Sequence, residues 1–295
     1  MAVEVERPNH INRALVRRYL ERLASAKKIY EARIPEDIRI LGSSPNEGWD
    51  FFGSPLVDQP EKGRPIGYFS PNGQESFAGI GGFSAEKFKE EIDRFRNDPA
   101  NQDRKVMILD TFGQGTPFVE IADEIVATTL TKNPRTPPGV TEFNGDALSS
   151  AVSEQMFAHL RSRIREGFAL RASFFRPVGG LQSVARNLYV IHTLYERLQT
   201  IYKLTDEGGL IFIQTAGSGG YDISFLKEIL ASEGFESIAS TDAFPENLRM
   251  LLRKDSAVCK SLPTVMEIAA KHPDIMKRLL NIDTSTRTLA RKRSG

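Results

Sequence analysis

From residue 105 onward, short apolar runs alternate with stretches in which apolar residues recur every three or four positions. Val106 to Leu109 is a continuous apolar run closed by Asp110, the pattern of a strand buried on both faces of a parallel sheet. Phe118, Ile121, Ala122 and Ile125 share one face at helical spacing, which predicts a helix over 118–130. The segment Asn133 to Gly139 is rich in proline and breaks the chain. Val140 to Phe143 then predicts the second strand, and Ser149 to Arg165 a helix with Val152, Met156, Leu160 and Ile164 inward. Phe168 to Phe175 predicts the third strand and Leu188 to Ile191 the fourth. Leu194, Leu198, Ile201 and Tyr202 suit a helix before Gly208-Gly209, and Leu210 to Ile213 is the clearest strand of the chain. A helix over 223–231 ends at Gly234, and the runs 235–239 and 248–252 read as two closing strands joined by a short loop. The alternation predicts an α/β fold with a seven-stranded, mostly parallel sheet and helices on both faces.

The flanks read differently. Ile11, Leu15, Tyr19 and Leu23 recur at four-residue steps and predict a helix over 10–33. Turn chemistry dominates from Gly42 to Gly82, interleaved with Trp49, Phe51, Phe52, Tyr68, Phe69 and Phe77. Disordered linkers are poor in aromatics, so this stretch reads as an ordered, loop-rich cover. A helix follows from Ser84, with Phe88, Ile92 and Phe95 on one face and Asn97-Asp98-Pro99 as its stop. At the other end, 263–280 predicts one helix, followed by a basic tail containing Arg287, Arg291, Lys292 and Arg293. The expected organisation is an N-terminal helix and aromatic cover (1–104), the α/β domain (105–254), and a helical extension with the basic tail (255–295).

Composition narrows the function classes. A formal net charge of +1 gives no global bias toward nucleic acid, and the basic tail reads as a solvated end. The single cysteine, Cys259, excludes an internal disulfide framework and a cysteine-rich zinc site. No apolar run approaches the roughly 18 residues of a membrane span, and Met1 to Asn12 lacks a signal-peptide core. The expectation is a soluble cytoplasmic protein, as a homodimer or a partner subunit.

The strongest chemical signal is Asp110-Thr-Phe-Gly113-Gln114-Gly115-Thr116-Pro117, between a predicted strand and a predicted helix. Glycines there let backbone approach a ligand closely, and a helix N-terminus offers free N–H groups beside it. Ligands of open α/β sheets bind at such strand ends. The segment Ile108-Leu-Asp-Thr-Phe-Gly-Gln-Gly-Thr116 resembles the first motif of class I, Rossmann-like S-adenosylmethionine-dependent methyltransferases. Leu204-Thr-Asp-Glu-Gly-Gly-Leu-Ile-Phe-Ile213 and Phe225-Leu-Lys-Glu-Ile-Leu-Ala-Ser-Glu-Gly-Phe235 are similar to later landmarks of that family. The resemblance covers 105–254 and implies a seven-stranded sheet with a reversed last strand. It also implies S-adenosylmethionine over Asp110, Gly113, Gln114, Gly115 and Thr116. The sequence departs from the motif by one extra residue between Asp110 and Gly113, and by Pro117 in place of the third glycine.

In that family an acid at the end of the second strand holds the ribose hydroxyls; here Glu142 is the first choice and Asp146 the second, each also suited to a loop charge or helix cap. Acceptors commonly meet the cofactor near the end of strand four, which points to His192 as a base, with Tyr189 and Tyr195 as pocket walls. Packing roles account for these three equally well. Trp49, Phe51, Phe52, Tyr68 and Phe69 are candidates for a lid. Gln214 to Tyr221 carries a Gly-Ser-Gly loop similar to one in small-molecule methyltransferases of the histamine N-methyltransferase kind. Nothing calls for a metal. The leading expectation is methyl transfer to a small molecule, an amine or natural product. The alternative is a catalytically silent methyltransferase-like fold that binds a ligand or partner. A nicotinamide-dependent oxidoreductase is disfavoured, because Phe118 stands where its third glycine belongs.

Overall fold

The computed structural model describes residues 13–42, 85–111, 118–129, 136, 138–145, 149–175, 187–214, 224–235, 237–241, 249–255, 257 and 261–281. The lid candidates Trp49, Phe51, Phe52, Tyr68 and Phe69, the Gly-Ser-Gly loop and the basic tail lie outside them. Helices α1 (Arg13–Gly42) and α2 (Ala85–Asn97) precede β1 (Lys105–Thr111), β2 (Glu124–Thr129) and β3 (Val140–Asn144). Then come α3 (Ser150–Arg165), β4 (Phe168–Phe175), α4 (Leu188–Leu204), β5 (Leu210–Gln214), α5 (Ser224–Ser232), β6 (Ser237–Thr241) and β7 (Arg249–Arg253). Helices α6 (Val265–Lys271) and α7 (Pro273–Leu280) close the described chain.

The seven strands form one sheet in the order β3-β2-β1-β4-β5-β7-β6. The pairs β2–β3, β1–β2, β1–β4 and β4–β5 are parallel, and β7 runs antiparallel to both β5 and β6. The expected strand number is met, but two elements exchange type. The helix predicted over 118–130 is a single turn at Phe118 followed by β2. Ile125, Val126 and Ala127 are each 1% exposed or less, so both faces are covered and helical spacing loses its meaning there. The strand predicted at Leu188–Ile191 is the start of α4. The Asn187 side chain caps it by accepting the Tyr189 amide at 2.8 Å and donates to the Ala26 carbonyl at 3.0 Å. Val140–Asn144 is therefore the third strand, not the second.

One face of the sheet carries a large core built from α1, α3, α4, α5, α6 and α7 over Met107, Leu109, Leu170, Ile211 and Ile213. Among the described residues, the other face is covered by α2 and the Phe118 turn, over Val106, Ile108, Phe174 and Phe212. The expected helical cover on both faces is thus unequal. The chain's two ends share the first layer: α1 packs on α4, α6 and α7. The tail helix expected over 263–280 is two helices broken at His272-Pro273, because proline at a helix start has no amide to continue the preceding ladder.

Two local devices set the register. β4 bulges against β1, where Met107 faces Leu170 and Ile108 faces Ala172, so Arg171 is the extra residue. Its guanidinium donates to Asp206 at 3.2 Å and to the carbonyls of Glu207 and Gly208, and lies 4.3 Å from the centre of the Phe95 ring. At the start of β5, a Cβ on Gly209 would meet Thr205 Cγ2 at 2.7 Å and the Asp206 carbonyl at 2.8 Å, so only glycine fits.

Candidate functional site at the carboxyl ends of the strands

The parallel strands bring Asp110 and Thr111 of β1 beside Phe174 and Phe175 of β4. Asp110 is fully buried and Thr111 is 2% exposed. Among the described residues, Thr111 Oγ1 has no hydrogen-bond partner, and neither does Ser173 Oγ on β4. Ser173 faces Leu109 and Thr111 faces Phe175, so alternation puts both hydroxyls on one side of neighbouring strands, two residues apart along the sheet. Buried hydroxyls are normally paired, so two orphans at the ligand-binding edge of a parallel sheet are the polar groups a ligand would meet.

Gly113, Gln114, Gly115 and Thr116 lie outside the described residues, but both ends of their segment are fixed. On one side is buried β1. On the other, Phe118 stacks on Phe174 at 4.4 Å, and Phe174 on Phe212 at 4.3 Å. Phe88 meets all three edge-on, so α2 locks the stack from above. Among the described residues no helix follows this segment; a turn at Phe118 leads into β2.

Glu142 occupies β3. Asp110 pairs with Ala127, and Ala127 with Glu142, so the two acids share a row two strands apart, about 10 Å. Glu142 accepts from Thr136 Oγ1 at 2.7 Å. Asp146 lies outside the described residues. The true second strand ends in Thr128-Thr129, and the following Leu130-Thr-Lys-Asn133 contains no acid.

His192 is not at a strand end. It sits in the second turn of α4, where Nδ1 is 3.0 Å from Tyr19 Oη of α1 and Nε2 is 3.2 Å from Glu196. Burial, aided by the Glu196 charge, pushes the Tyr19 phenol well above its ordinary value, so its O–H is kept as donor. The hydrogen bond from His192 holds the Glu196 carboxyl below the usual range, against the opposing effect of burial. Tyr189 tilts against Tyr30 at 5.2 Å, while Tyr195 is buried and donates to the Pro263 carbonyl at 2.7 Å, a packing role that ties α4 to the tail. His192 and Tyr189 line a cleft of about 570 Å³ between α1, α3 and α4. The structure therefore separates His192, on the helical layer, from Asp110 and Glu142, within the sheet.

Sequence reasoning missed Thr111, Ser173 and the cluster around Glu124. Glu124, at the amino end of β2, accepts from His159 at 2.6 Å, from Thr141 at 3.0 Å and from Arg163 Nε. The i, i+4 spacing of His159 and Arg163 on α3 was the available signal. Among the described residues, no cluster of His, Cys, Asp and Glu is suited to a metal, and no helix is long and apolar enough to cross a membrane.

A sheet of seven strands in which β7 alone is reversed, fed by parallel crossovers, matches the expectation from the β1 motif. The fold is of the class I methyltransferase type. No family model and no curated protein sequence matches the chain. Among solved structures, a TehB-like SAM-dependent methyltransferase from Corynebacterium glutamicum is 16% identical, covering 63% of this chain and 100% of its own, with a TM-score of 0.35. The N-methyltransferase NodS from Bradyrhizobium japonicum is 10% identical over 57% of this chain and 95% of its own, with a TM-score of 0.32. An rRNA methylase from Streptococcus thermophilus is 12% identical over 57% and 93%, with a TM-score of 0.29. Scores this low do not carry a shared activity, and the strand order is the firmer ground.

Proposed function

We propose that the chain binds S-adenosylmethionine across the carboxyl ends of β1 and β4 and transfers its methyl group to a small-molecule acceptor. The observation that carries this reading is the buried Asp110-Thr111 pair, with Thr111 Oγ1 unpartnered, at the head of the glycine segment. A carboxylate and a hydroxyl suit the ammonium and hydroxyl groups of that cofactor, and the small residues of 113–116 suit close backbone approach. When bound, S-adenosylmethionine supplies an electrophilic methyl on a sulfonium. The chain's own residues then have to hold and orient the acceptor for in-line attack and exclude water. Glu142 and Asp146 are the carboxylates proposed for the ribose side. His192 is the proposed proton acceptor; Tyr19 O–H donates to Nδ1 and Nε2–H is given to Glu196, so the ring nitrogen with a lone pair to take a proton is Nδ1.

The second reading is a methyltransferase-like fold that binds without turnover. It is favoured by the acid-free end of β2, where a ribose-binding carboxylate belongs. Calorimetric titration with S-adenosylmethionine and S-adenosylhomocysteine, repeated on Asp110→Asn and Gly113→Val, tests both. Binding lost in both variants places the cofactor on β1 and leaves the acceptor to be found. Absence of binding to the folded protein removes the enzyme reading.

A further inference from the structure

A cleft of about 570 Å³ opens between α1, α3 and α4, on the helical layer and not at the strand ends. Its volume lies within the range of small-molecule sites. On α4 it runs along Tyr189, His192, Thr193, Glu196 and Thr200. Two properties of the lining specify what it would hold.

The first is the placing of charge. Besides His192, the lining carries Lys27, Arg161 and Arg197 against Glu154 and Glu196, with no marked excess of either sign. Most of these groups are already engaged. Lys27 pairs with Glu31 at 3.7 Å, and Glu196 with His192 at 3.2 Å. Arg197 donates to the Ser149 carbonyl at 3.3 Å and has a further partner. Glu154 and Arg161 remain: both are exposed, and neither makes an ion pair or hydrogen bond among the described residues. They stand on one face of α3, two turns apart, about 10 Å along the axis, with Phe157 between them. One free carboxylate and one free guanidinium therefore face the same cleft without neutralising each other.

The second is apolar surface between and beside those charges. Phe157 is buried at the cleft, and Leu20 and Leu23 of α1 line it too. Leu20 is 53% exposed, the most exposed large apolar side chain among the described residues. A ligand lying along this surface takes water from Leu20 and from both charged groups. A ligand with one charge would leave Glu154 or Arg161 desolvated and unpaired; a ligand with both charges satisfies the two.

We propose that this cleft binds a small zwitterion, in which an amine cation and a carboxylate are joined by an apolar body. The ammonium lies on Glu154, the carboxylate on Arg161, and the body on Phe157, Leu20 and Leu23. Binding of the zwitterion does not depend on what occupies the strand ends.

The test titrates the full chain with 8-aminooctanoate, followed by saturation-transfer NMR. Two analogues keep the alkyl body and each remove one charge: 8-aminooctanamide lacks the carboxylate, and N-acetyl-8-aminooctanoate lacks the ammonium. The zwitterion is expected to saturate and to bind about fivefold more tightly than either analogue, the upper end for an exposed ion pair. Arg161→Gln should weaken the zwitterion to the level of the amide and leave the amide unchanged. Glu154→Gln should weaken it to the level of the N-acetyl compound and leave that compound unchanged. Both residues are exposed, so the variants are expected to keep the parent's circular dichroism and melting temperature. Non-saturable binding, equal affinity for the three compounds, or a zwitterion affinity unchanged in either variant overturns the proposal. S-adenosylmethionine is itself a zwitterion, so it is titrated on the same variants. An unchanged Kd keeps the cleft distinct from the strand ends; a weakened one puts the cofactor in the cleft and overturns the separate site.

Discussion

Tyr19 and His192 meet at 3.0 Å across 173 residues of sequence, joining the first helix to the helix that follows β4. Burial raises the Tyr19 pKa in the folded state, with the Glu196 charge adding to it. The stability associated with a neutral phenol is therefore complete below the unfolded value, about pH 10, and is lost as pH rises above it. Tyr19→Phe should remove this alkaline loss and cost about 1 kcal/mol at neutral pH through the hydrogen bond. Urea melts of both proteins at pH 7 and at pH 10.5 check it. An identical alkaline slope in the variant would show that Tyr19 is not the titrating group.

Glu124 carries the corresponding acid-side effect. Burial pushes its pKa up, but hydrogen bonds from His159, Arg163 and Thr141 outweigh burial and hold it below the usual range. Its contribution is present above the unfolded value of about 4.3 and disappears as pH falls through the lower folded value. Glu124→Gln should cost about 2 kcal/mol at pH 7, since it removes charged hydrogen bonds from partly exposed partners. The difference from the parent should close below pH 4, measured by denaturant unfolding across pH.

Phe118 is expected to matter twice. It ends the stack on Phe174 and meets Phe88 edge-on, and truncation to alanine should cost about 3–5 kcal/mol. It also fixes the far end of the 112–117 segment. Phe118→Leu, a milder change, should lower S-adenosylmethionine affinity more than it lowers the melting temperature. Equal affinity in a destabilised Phe118→Leu would separate the stack from the ligand.

Thr111→Val removes a hydroxyl that has no hydrogen-bond partner among the described residues. The ligand-free variant should be as stable as the parent, or more so by about 1 kcal/mol, because an unsatisfied polar group is replaced by an apolar one of the same shape. Cofactor affinity should fall about tenfold, the worth of one good hydrogen bond. Thermal melts with and without S-adenosylhomocysteine read both effects. Loss of stability without loss of affinity would make Thr111 a packing residue.

Several elements could be read without coordinates because both their period and their boundaries are local. The apolar run 106–109, the alternating run into Phe175 and the Gly-Gly start of β5 all lie where the sequence puts them. The misread elements share a cause. Phe118, Ile121 and Ile125 fit a helix, and Leu188 to Ile191 fit a strand, because a short apolar run is compatible with either when burial is complete. What decided them was non-local: Ile125 pairs with Ile108 in the sheet, whereas Asn187 caps α4 and anchors it to Ala26. Glu142 reads as the end of the second strand for the same reason; it stands on the third, because β2 intervenes.

The sequence by itself determined the α/β alternation, the Asp110 strand end with its glycine segment, and the absence of a cysteine framework, because each depends on neighbours along the chain. The tertiary structure decided which strand is second, that Thr111 and Ser173 are orphaned on neighbouring strands, and that His192 faces Tyr19 and a cleft between α1, α3 and α4 instead of Asp110. Those facts depend on strand pairing and on helices meeting across more than a hundred residues. No local periodicity encodes such contacts, because burial and partner choice are properties of the packed layers.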